Sequence, residues 1–213
     1  MKIFFDDRCL LLLKPDEPFE GQIVVPGSTE EVKKVLRDFE RNAGLQTLAL
    51  SASDYKELKR DVKSLFTIIE AAGGVVRNEE GEILFIHRRG KWDLPKGKIE
   101  TKDEGRKTKD EGRKTKSKWR ETEAVREVKE ETGIKKVKVV GKLKPTYHVY
   151  KQQGALMLKK SYWFEMTAPK VQKLVPQVEE DIRYVRWFPP GELDTVLENT
   201  FGSLREMIEL LRS

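Results

Sequence analysis

Three carboxylates stand close together in the segment Arg126-Glu-Val-Lys-Glu-Glu-Thr-Gly-Ile134. At 3.6 residues per turn, Glu127, Glu130 and Glu131 lie at about 0°, 300° and 40° around a helix axis, an arc of about 100°. One helical flank therefore carries all three. Like charges so crowded repel, raise the proton affinity of at least one of them, and weaken the helix by a few tenths of a kcal/mol per neighbour. A hard divalent cation removes that penalty, and oxygen donors with no His or Cys among them point to Mg²⁺ or Mn²⁺ rather than zinc. Such an ion, shared with substrate phosphates, activates water and neutralises charge during displacement at phosphorus. The competing reading of any Glu-rich helix is a solvated face laced with ion pairs, and Arg126 with Glu130 is a legitimate i,i+4 pair.

The elements that must position these groups are legible from periodicity. Residues 119–132 read as a helix whose Ala124, Val125 and Val128 face a core, with Gly133 placed to end it in a left-handed cap. Upstream, 67–77 and 82–88 read as strands joined by a turn at Asn78-Glu-Glu-Gly81, followed by the charged approach Lys91-Trp-Asp-Leu-Pro-Lys-Gly-Lys98. Downstream strands are expected at 137–142, 146–150, 156–166 and 182–188, then a short helix from Pro190 and a closing helix over 204–211. Strands interspersed with helices imply a layered mixed sheet. Residues 1–66 read as a separate small α/β or α+β module: strand-like runs at 2–5, 9–13, 22–25 and 45–50, one helix capped by Ser28 or Thr29, another capped by Ser53 or Asp54.

Between the approach and the helix lies a literal repeat. Residues 101–107, TKDEGRK, recur as 108–114, and Thr115-Lys-Ser-Lys-Trp-Arg-Glu121 begins like a degenerate third copy. Units so polar, and so few, cannot stack into a solenoid, so 101–118 is expected to be an expanded mobile loop.

The carboxylate segment resembles the second half of the Nudix box, which runs Gly, five residues, Glu, seven residues, then Arg-Glu-apolar-any-Glu-Glu-any-Gly-apolar. Arg126, Glu127, Val128, Glu130, Glu131, Gly133 and Ile134 match every specified position of that half, and Leu94-Pro-Lys-Gly97 is similar to the entry of the box. The chain departs from the pattern between the halves: Arg126 lies 29 positions after Gly97, where the family has 14. Counting forward from Gly97 reaches Asp103, and counting back from Arg126 reaches Lys118, so the box glutamate that normally pairs with the Arg is displaced. Asp103, Glu104, Asp110 or Glu111 are the acids available to fold back onto Arg126. Loop closure costs only about 0.6 kcal/mol per doubling of length, so the insertion is expected to lengthen a loop the site can spare.

The resemblance implies a Nudix-like α/β/α sandwich with a mixed sheet over 67–213, preceded by the small module. It implies Mg²⁺-dependent, or Mn²⁺-dependent, hydrolysis of a pyrophosphate bond in a nucleoside diphosphate linked to another moiety, such as a dinucleoside polyphosphate or an oxidised nucleotide. Glu127, Glu130 and Glu131 would be the metal ligands, with the Lys96 carbonyl completing the shell. Glu130 and Glu127 are both candidates for the base, with Arg126 orienting the cluster. Arg88, Arg89, Lys96 and Lys98 would surround the substrate phosphates, and Gly97 would let the backbone come close. Glu179 and Glu180 lie where some family members place a further glutamate. His87 and His148 read as structural, while Trp92, Tyr147, Tyr150, Tyr162 and Trp163 either stack a base or fill a core. The rival reading is a catalytically weak nucleotide-binding sensor module.

Composition sets the remaining bounds. A net charge of +6 invites a nucleic-acid reading, but the two TKDEGRK copies supply +2 of it and basic and acidic residues alternate throughout. A phosphate-backbone stripe is therefore not expected; the expected partner is a small phosphorylated molecule. Cys9 is the single cysteine, which excludes an internal disulfide and a thiolate metal site. No apolar run approaches bilayer length, so a cytoplasmic, non-membrane protein is expected. Residues 1–66 carry no chemical motif and are open to dimerisation, to covering the site or to binding a partner.

Overall fold

The computed structural model describes residues 1–99 and 109–212 and, of these, the side chains of all but 109–115. In chain order the elements are β1 (Lys2–Phe5), β2 (Arg8–Leu13), β3 (Ile23–Val24), α1 (Thr29–Arg41), β4 (Thr47–Ser51) and α2 (Tyr55–Ser64). There follow β5 (Thr67–Arg77), β6 (Ile83–Arg88), β7 (Lys91–Asp93), β8 (Lys96–Lys98), α3 (Lys109–Thr132), β9 (Lys138–Lys142), β10 (Thr146–Gln152) and β11 (Ala155–Thr167). The chain closes with β12 (Ile182–Phe188), α4 (Leu193–Glu198) and α5 (Gly202–Leu210). Two compact units result: Met1–Ile69 with Thr146–Lys160, and Glu70–Pro145 with Ser161–Ser213.

In the first unit the strands run β10-β1-β2-β4-β3. β1 is antiparallel to β2, with Ile3 opposite Leu10, and parallel to β10, with Phe4 opposite His148. Both helices start on side-chain caps: Ser28 Oγ accepts from Glu31 N at 3.2 Å, and Asp54 Oδ1 accepts from Lys56 N at 2.8 Å. The helices contribute Val32, Leu36 and Phe39, and Leu58 and Val62, to a core shared with Ile3, Leu10, Leu12 and Leu50. Arg8 Nη1 donates to the carbonyls of Phe39 (2.7 Å) and Asn42 (2.9 Å), satisfying acceptors that the end of α1 leaves open.

In the second unit the strands run β12-β6-β5-β11, with β7 beside β6, β8 beside β5 and β9 beside β11. Side chains along a strand alternate between faces, and this alternation sorts the unit into layers. Val75, Phe85, Trp163 and Phe188 face a core closed by Leu193, Val196, Leu204 and Ile208 from α4 and α5. Ala72, Val76, Leu84, Phe164 and Met166 face the other way, onto Ala124 and Val128 of α3. The result is an α/β/α sandwich with a mixed sheet.

Two expectations need correction. The repeat loop expected over 101–118 is helical from Lys109 onward, so the backbone of most of the second copy belongs to α3. Lys, Arg and Glu propagate a helix well, and extending one already anchored by packing avoids a new nucleation cost, which outweighs about 1 kcal/mol for Gly112. The first copy and Thr108 lie outside the described residues. Residues 146–160, read with the second unit, pack with the first, because β10 pairs with β1 across most of the chain's length, a partnership that no local pattern encodes.

Phe39 is 1% exposed and meets the Phe5 ring edge-on at 5.4 Å. Phe39→Ala is expected to cost about 3–5 kcal/mol, read as a drop in the urea midpoint at unchanged slope.

Candidate active site

The three carboxylates do not share one environment. α3 lays Glu127 and Glu131 against the sheet, where both are buried, and leaves the Glu130 side chain 46% exposed. Strand parity brings the partners of Glu131. On β6, Leu84, Ile86 and Arg88 share one face, and Arg88 at its end donates from Nη1 to Glu131 Oε1 at 3.1 Å. From β8, the backbone N–H of Lys96 donates to Glu131 Oε2 at 2.7 Å. Burial pushes the Glu131 carboxyl up to about 7, against the pull of Lys96 and Arg88. Burial likewise raises Glu127, with Arg126 opposing it.

Gly97 lies directly against the Glu127 carboxylate. A methyl group on its α-carbon would lie 1.9 Å from Glu127 Oε2, so the β8 backbone and the α3 carboxylate meet without an intervening side chain. β8 is held in place by antiparallel pairing to β5, with Gly97 opposite Ala72 and Lys96 opposite Gly73. Gly73 has its own constraint, since a methyl group there would lie 2.2 Å from the Pro95 carbonyl oxygen.

The cations expected to hold substrate phosphates separate into two groups. Arg88 and Lys96 have side chains only 11% and 10% exposed. They enclose Asp93, whose Oδ2 pairs with the Lys96 ammonium and lies 3.9 Å from Arg88 Nε, while Oδ1 accepts from Leu94 N at 2.8 Å. Asp93, Lys96, Arg88 and Glu131 thus form one buried polar network. Arg89 and Lys98 remain exposed; Arg89 adopts a positive φ of 51° and stands 3.8 Å from Asp181. Glu179 and Glu180 are exposed on a short 3-10 turn, and just before it Gln177 N donates to the Glu131 carbonyl at 3.4 Å.

Arg126 gathers acids from its own helix. Its Nη2 donates to Glu127 Oε1 at 2.6 Å and to Glu123 Oε2 at 2.9 Å, and its Nη1 donates to Glu130 Oε2 at 2.7 Å. The guanidinium is held above its ordinary pKa, first by hydrogen bonding to Glu123. Asp103 and Glu104, and the side chains of Asp110 and Glu111, lie outside the described residues. The sequence reading passed over Glu123, although its place four residues before Glu127, about 40° away around the axis, was a signal that could have found it. Asp93 carried no such signal, because its burial depends on the turn between β7 and β8.

A second cluster fixes the helix just upstream. Arg120 Nη2 donates to both Glu70 oxygens, at 2.7 and 3.0 Å, and its guanidinium lies 3.8 Å from the centre of the Tyr162 ring. Tyr162 completes the triangle by donating its hydroxyl to Glu70 at 2.6 Å. Burial pushes Glu70 up, but Tyr162 and Arg120 outweigh it and hold the carboxyl below its ordinary value. The remaining aromatics have structural surroundings: Trp163 is buried in the core under α4 and α5, Trp92 lies edge-on to His87 and Phe188, and His148 stacks on Tyr150.

An α/β/α sandwich that presents helix carboxylates to a glycine-bearing strand defines the class. The NUDIX domain model matches residues 68–211, and the chain belongs to the Nudix family. Similar solved structures include a MutT protein from Methanosarcina mazei Go1 (20% identity, 68% of this chain and 94% of that one, TM-score 0.48). A C. elegans Ap4A hydrolase binary complex is 19% identical over 68% of this chain and 93% of that one, with a TM-score of 0.42. The Nudix hydrolase RenU from M. smegmatis is 16% identical over 67% and 84%, with a TM-score of 0.44. No curated protein matches. Among the described residues no helix is long and apolar enough to cross a membrane, and no group of three or more His, Cys, Asp and Glu side chains converges to hold a metal ion.

Two outcomes are expected from these contacts. Gly97→Ala drives a methyl group into the Glu127 carboxylate and lowers stability by about 1–3 kcal/mol, measured by thermal denaturation. A carboxylate held below its ordinary 4.5 stabilises the fold above that pH and loses the stabilisation as pH falls through the lower folded value. Glu70→Gln therefore costs about 1 kcal/mol at neutral pH for a partly screened network, and its difference from wild type shrinks in urea titrations as the pH is taken below 4.5.

Proposed function

We propose that the chain hydrolyses a pyrophosphate bond in a nucleoside diphosphate linked to another moiety, with Mg²⁺ or Mn²⁺ as cofactor. The observation that carries the reading is the pair Glu127 and Glu131. Both carboxylates are buried one turn apart on α3, Glu127 directly against Gly97, and burial raises the proton affinity of each. Buried acids in that state suit a cation: oxygen donors match a hard divalent ion, and its charge relieves the desolvation that now favours their protonation. Glu127 and Glu131 would hold it, together with the Lys96 carbonyl. When bound, such an ion lowers the pKa of water and neutralises phosphoryl oxygens.

The protein groups divide the remaining work. Glu130, the one of the three open to solvent, would accept a proton from water, with Arg126 Nη1 bonded to its carboxylate. Arg88 holds Glu131 in place, and Asp93 in turn restrains Arg88 and the Lys96 ammonium. Arg89 and Lys98 are the exposed cations available to bind substrate phosphates. Loss of turnover with retained nucleotide binding is the signature of the alternative, a sensor module.

A panel of dinucleoside polyphosphates, oxidised nucleoside triphosphates and nucleoside diphosphate sugars, incubated with Mg²⁺ and followed by chromatographic separation of the two phosphorylated products, tests the reading. Turnover of at least one substrate is expected. Glu130→Gln should lower kcat by about 10²–10⁴-fold, Glu131→Gln should abolish the response to Mg²⁺, and deletion of 101–114 should leave the rate within a few-fold. Binding across the panel with no turnover at any metal concentration would establish the sensor instead.

A further inference from the structure

Three stretches of the second unit enclose a cavity of about 820 Å³: residues 77–79 at the end of β5, 135–138 leading into β9, and 167–169 at the end of β11. That volume lies within the range of roughly 300–1,000 Å³ that small-molecule pockets occupy. Hydrogen bonds stitch the walls together. Ala168 N donates to the Arg77 carbonyl at 2.9 Å, and Lys170 N donates to Glu79 Oε2 at 2.9 Å. Gln172 joins the other two walls: its Oε1 accepts from Lys135 N (3.0 Å) and Lys136 N (2.8 Å), and its Nε2 donates to the carbonyls of Lys136 (3.0 Å) and Pro169 (3.1 Å). Those four bonds use the full capacity of a side-chain amide. Backbone fixed in this way is set before a ligand arrives, which lowers the ordering cost of binding.

Positive charge dominates the lining. Lys135, Lys136 and Lys138 are exposed, and among the described residues no carboxylate stands within ion-pair distance of any of them. Arg77 adds a fourth cation, whose guanidinium donates to neutral carbonyls, those of Gly81 (3.2 Å) and Leu211 (3.4 Å). Against these stands Glu79, an exposed acid that already accepts the Lys170 amide. Val137, Ala168 and Pro169 supply apolar lining. Lysines on an edge strand ordinarily keep it from pairing with another chain, and Lys138 begins β9, which pairs with β11. That role accounts for Lys138. It does not account for Lys135 and Lys136, which precede the strand, or for Arg77 on another wall.

We propose that this cavity binds a nucleoside polyphosphate at a second site, one that shares no residue with the carboxylates of α3. The phosphates meet Lys135, Lys136, Lys138 and Arg77, and the ring system rests on Val137, Ala168 and Pro169. Like charges gathered on a fixed frame repel one another, and a ligand carrying several negative charges relieves more of that repulsion than a monoanion does. The apolar lining favours a ligand with a ring over a bare phosphate chain. An acidic peptide offers similar charge, but three stretches stitched around one hollow suit a compact ligand. The site stands independently of the hydrolase reading, because no group of that reaction takes part in it.

The test titrates ATP, inorganic tripolyphosphate and an oligoglutamate peptide into the full chain, in EDTA and without divalent ions, and follows backbone ¹H–¹⁵N shifts. ATP is expected to shift the amides of 135–138, 167 and 168 saturably, with tripolyphosphate binding there at least about threefold more weakly and the peptide leaving them unmoved. The triple variant Lys135→Gln, Lys136→Gln, Lys138→Gln alters exposed side chains alone. It should fold as wild type does and lower ATP affinity at these amides at least about tenfold, whereas Glu79→Gln should raise it. ATP shifts confined to 93–98 and α3 overturn the proposal, as does an affinity unchanged in the triple variant. Tripolyphosphate binding as tightly as ATP overturns the nucleoside assignment, and tighter binding of the peptide than of ATP assigns the cavity to a protein partner instead. Failure of every substrate in the panel refutes the hydrolase reading alone, and the titration still decides the second site.

Discussion

The site depends on keeping carboxylates out of water along one side of α3. A buried acid survives only with compensation, and each of the three buried here has its own. Glu131 takes Arg88 and the Lys96 backbone, Glu127 takes Arg126, and Glu123 shares that same arginine. The compensation is uneven. Arg88 and Lys96 are themselves shared with Asp93, so Glu131 remains poorly solvated and readily protonated, whereas Glu123 has an arginine close at hand. An environment that leaves an acid short of positive charge favours the arrival of a cation there, and one that saturates an acid makes it a fixture.

The fold produces this contrast through the two-residue period of its strands. Along β6 the same face carries Leu84 into the core beneath α3 and, two pleats further, Arg88 to Glu131, while His87 turns to the opposite layer beside Trp92. Along β5 the α3 face runs Glu70, Ala72, Gly74, Val76: an acid for Arg120, then small residues that let the helix approach closely. A methyl group at Gly74 would lie 2.7 Å from the Met166 sulfur and 3.0 Å from Val128. Close approach is what buries Glu127 and Glu131, so the small residues of β5 and the acids of α3 are parts of one arrangement.

Much of this was legible before any coordinates. Helical periodicity placed Glu127, Glu130 and Glu131 on one flank, and turn and cap residues placed the elements around them, with β5 and β12 at their observed bounds. What periodicity cannot supply is depth. An arc of about 100° is wide enough for one edge to face a sheet and the other to face water, which is why Glu130 parts company with its neighbours. Arg88 and Lys96 looked like phosphate binders for the same reason: a cation's surroundings are set by which strand lies beside it, and the Asp93 turn that encloses both is a tertiary event. The pairing of β10 with β1 belongs to the same class, since its two halves lie too far apart in sequence for any window to join them.

The repeats pose the opposite problem, a conspicuous sequence feature of which the second copy continues α3 from Lys109 onward. A seven-residue unit in an α-helix turns through about 700°, only 20° short of two full turns. Units added at the helical N-terminal end of α3 therefore prolong its axis while preserving its facing to within a small rotation. That rotation, too, is stopped before it reaches the carboxylates. Arg120, stacked on Tyr162 and paired with Glu70, ties α3 to β5 and β11 at the first buried turn after the repeats, and the downstream phase of the helix is set by that tie and by Ala124 and Val128 in the core. Variation in length upstream meets a fixed point at Arg120.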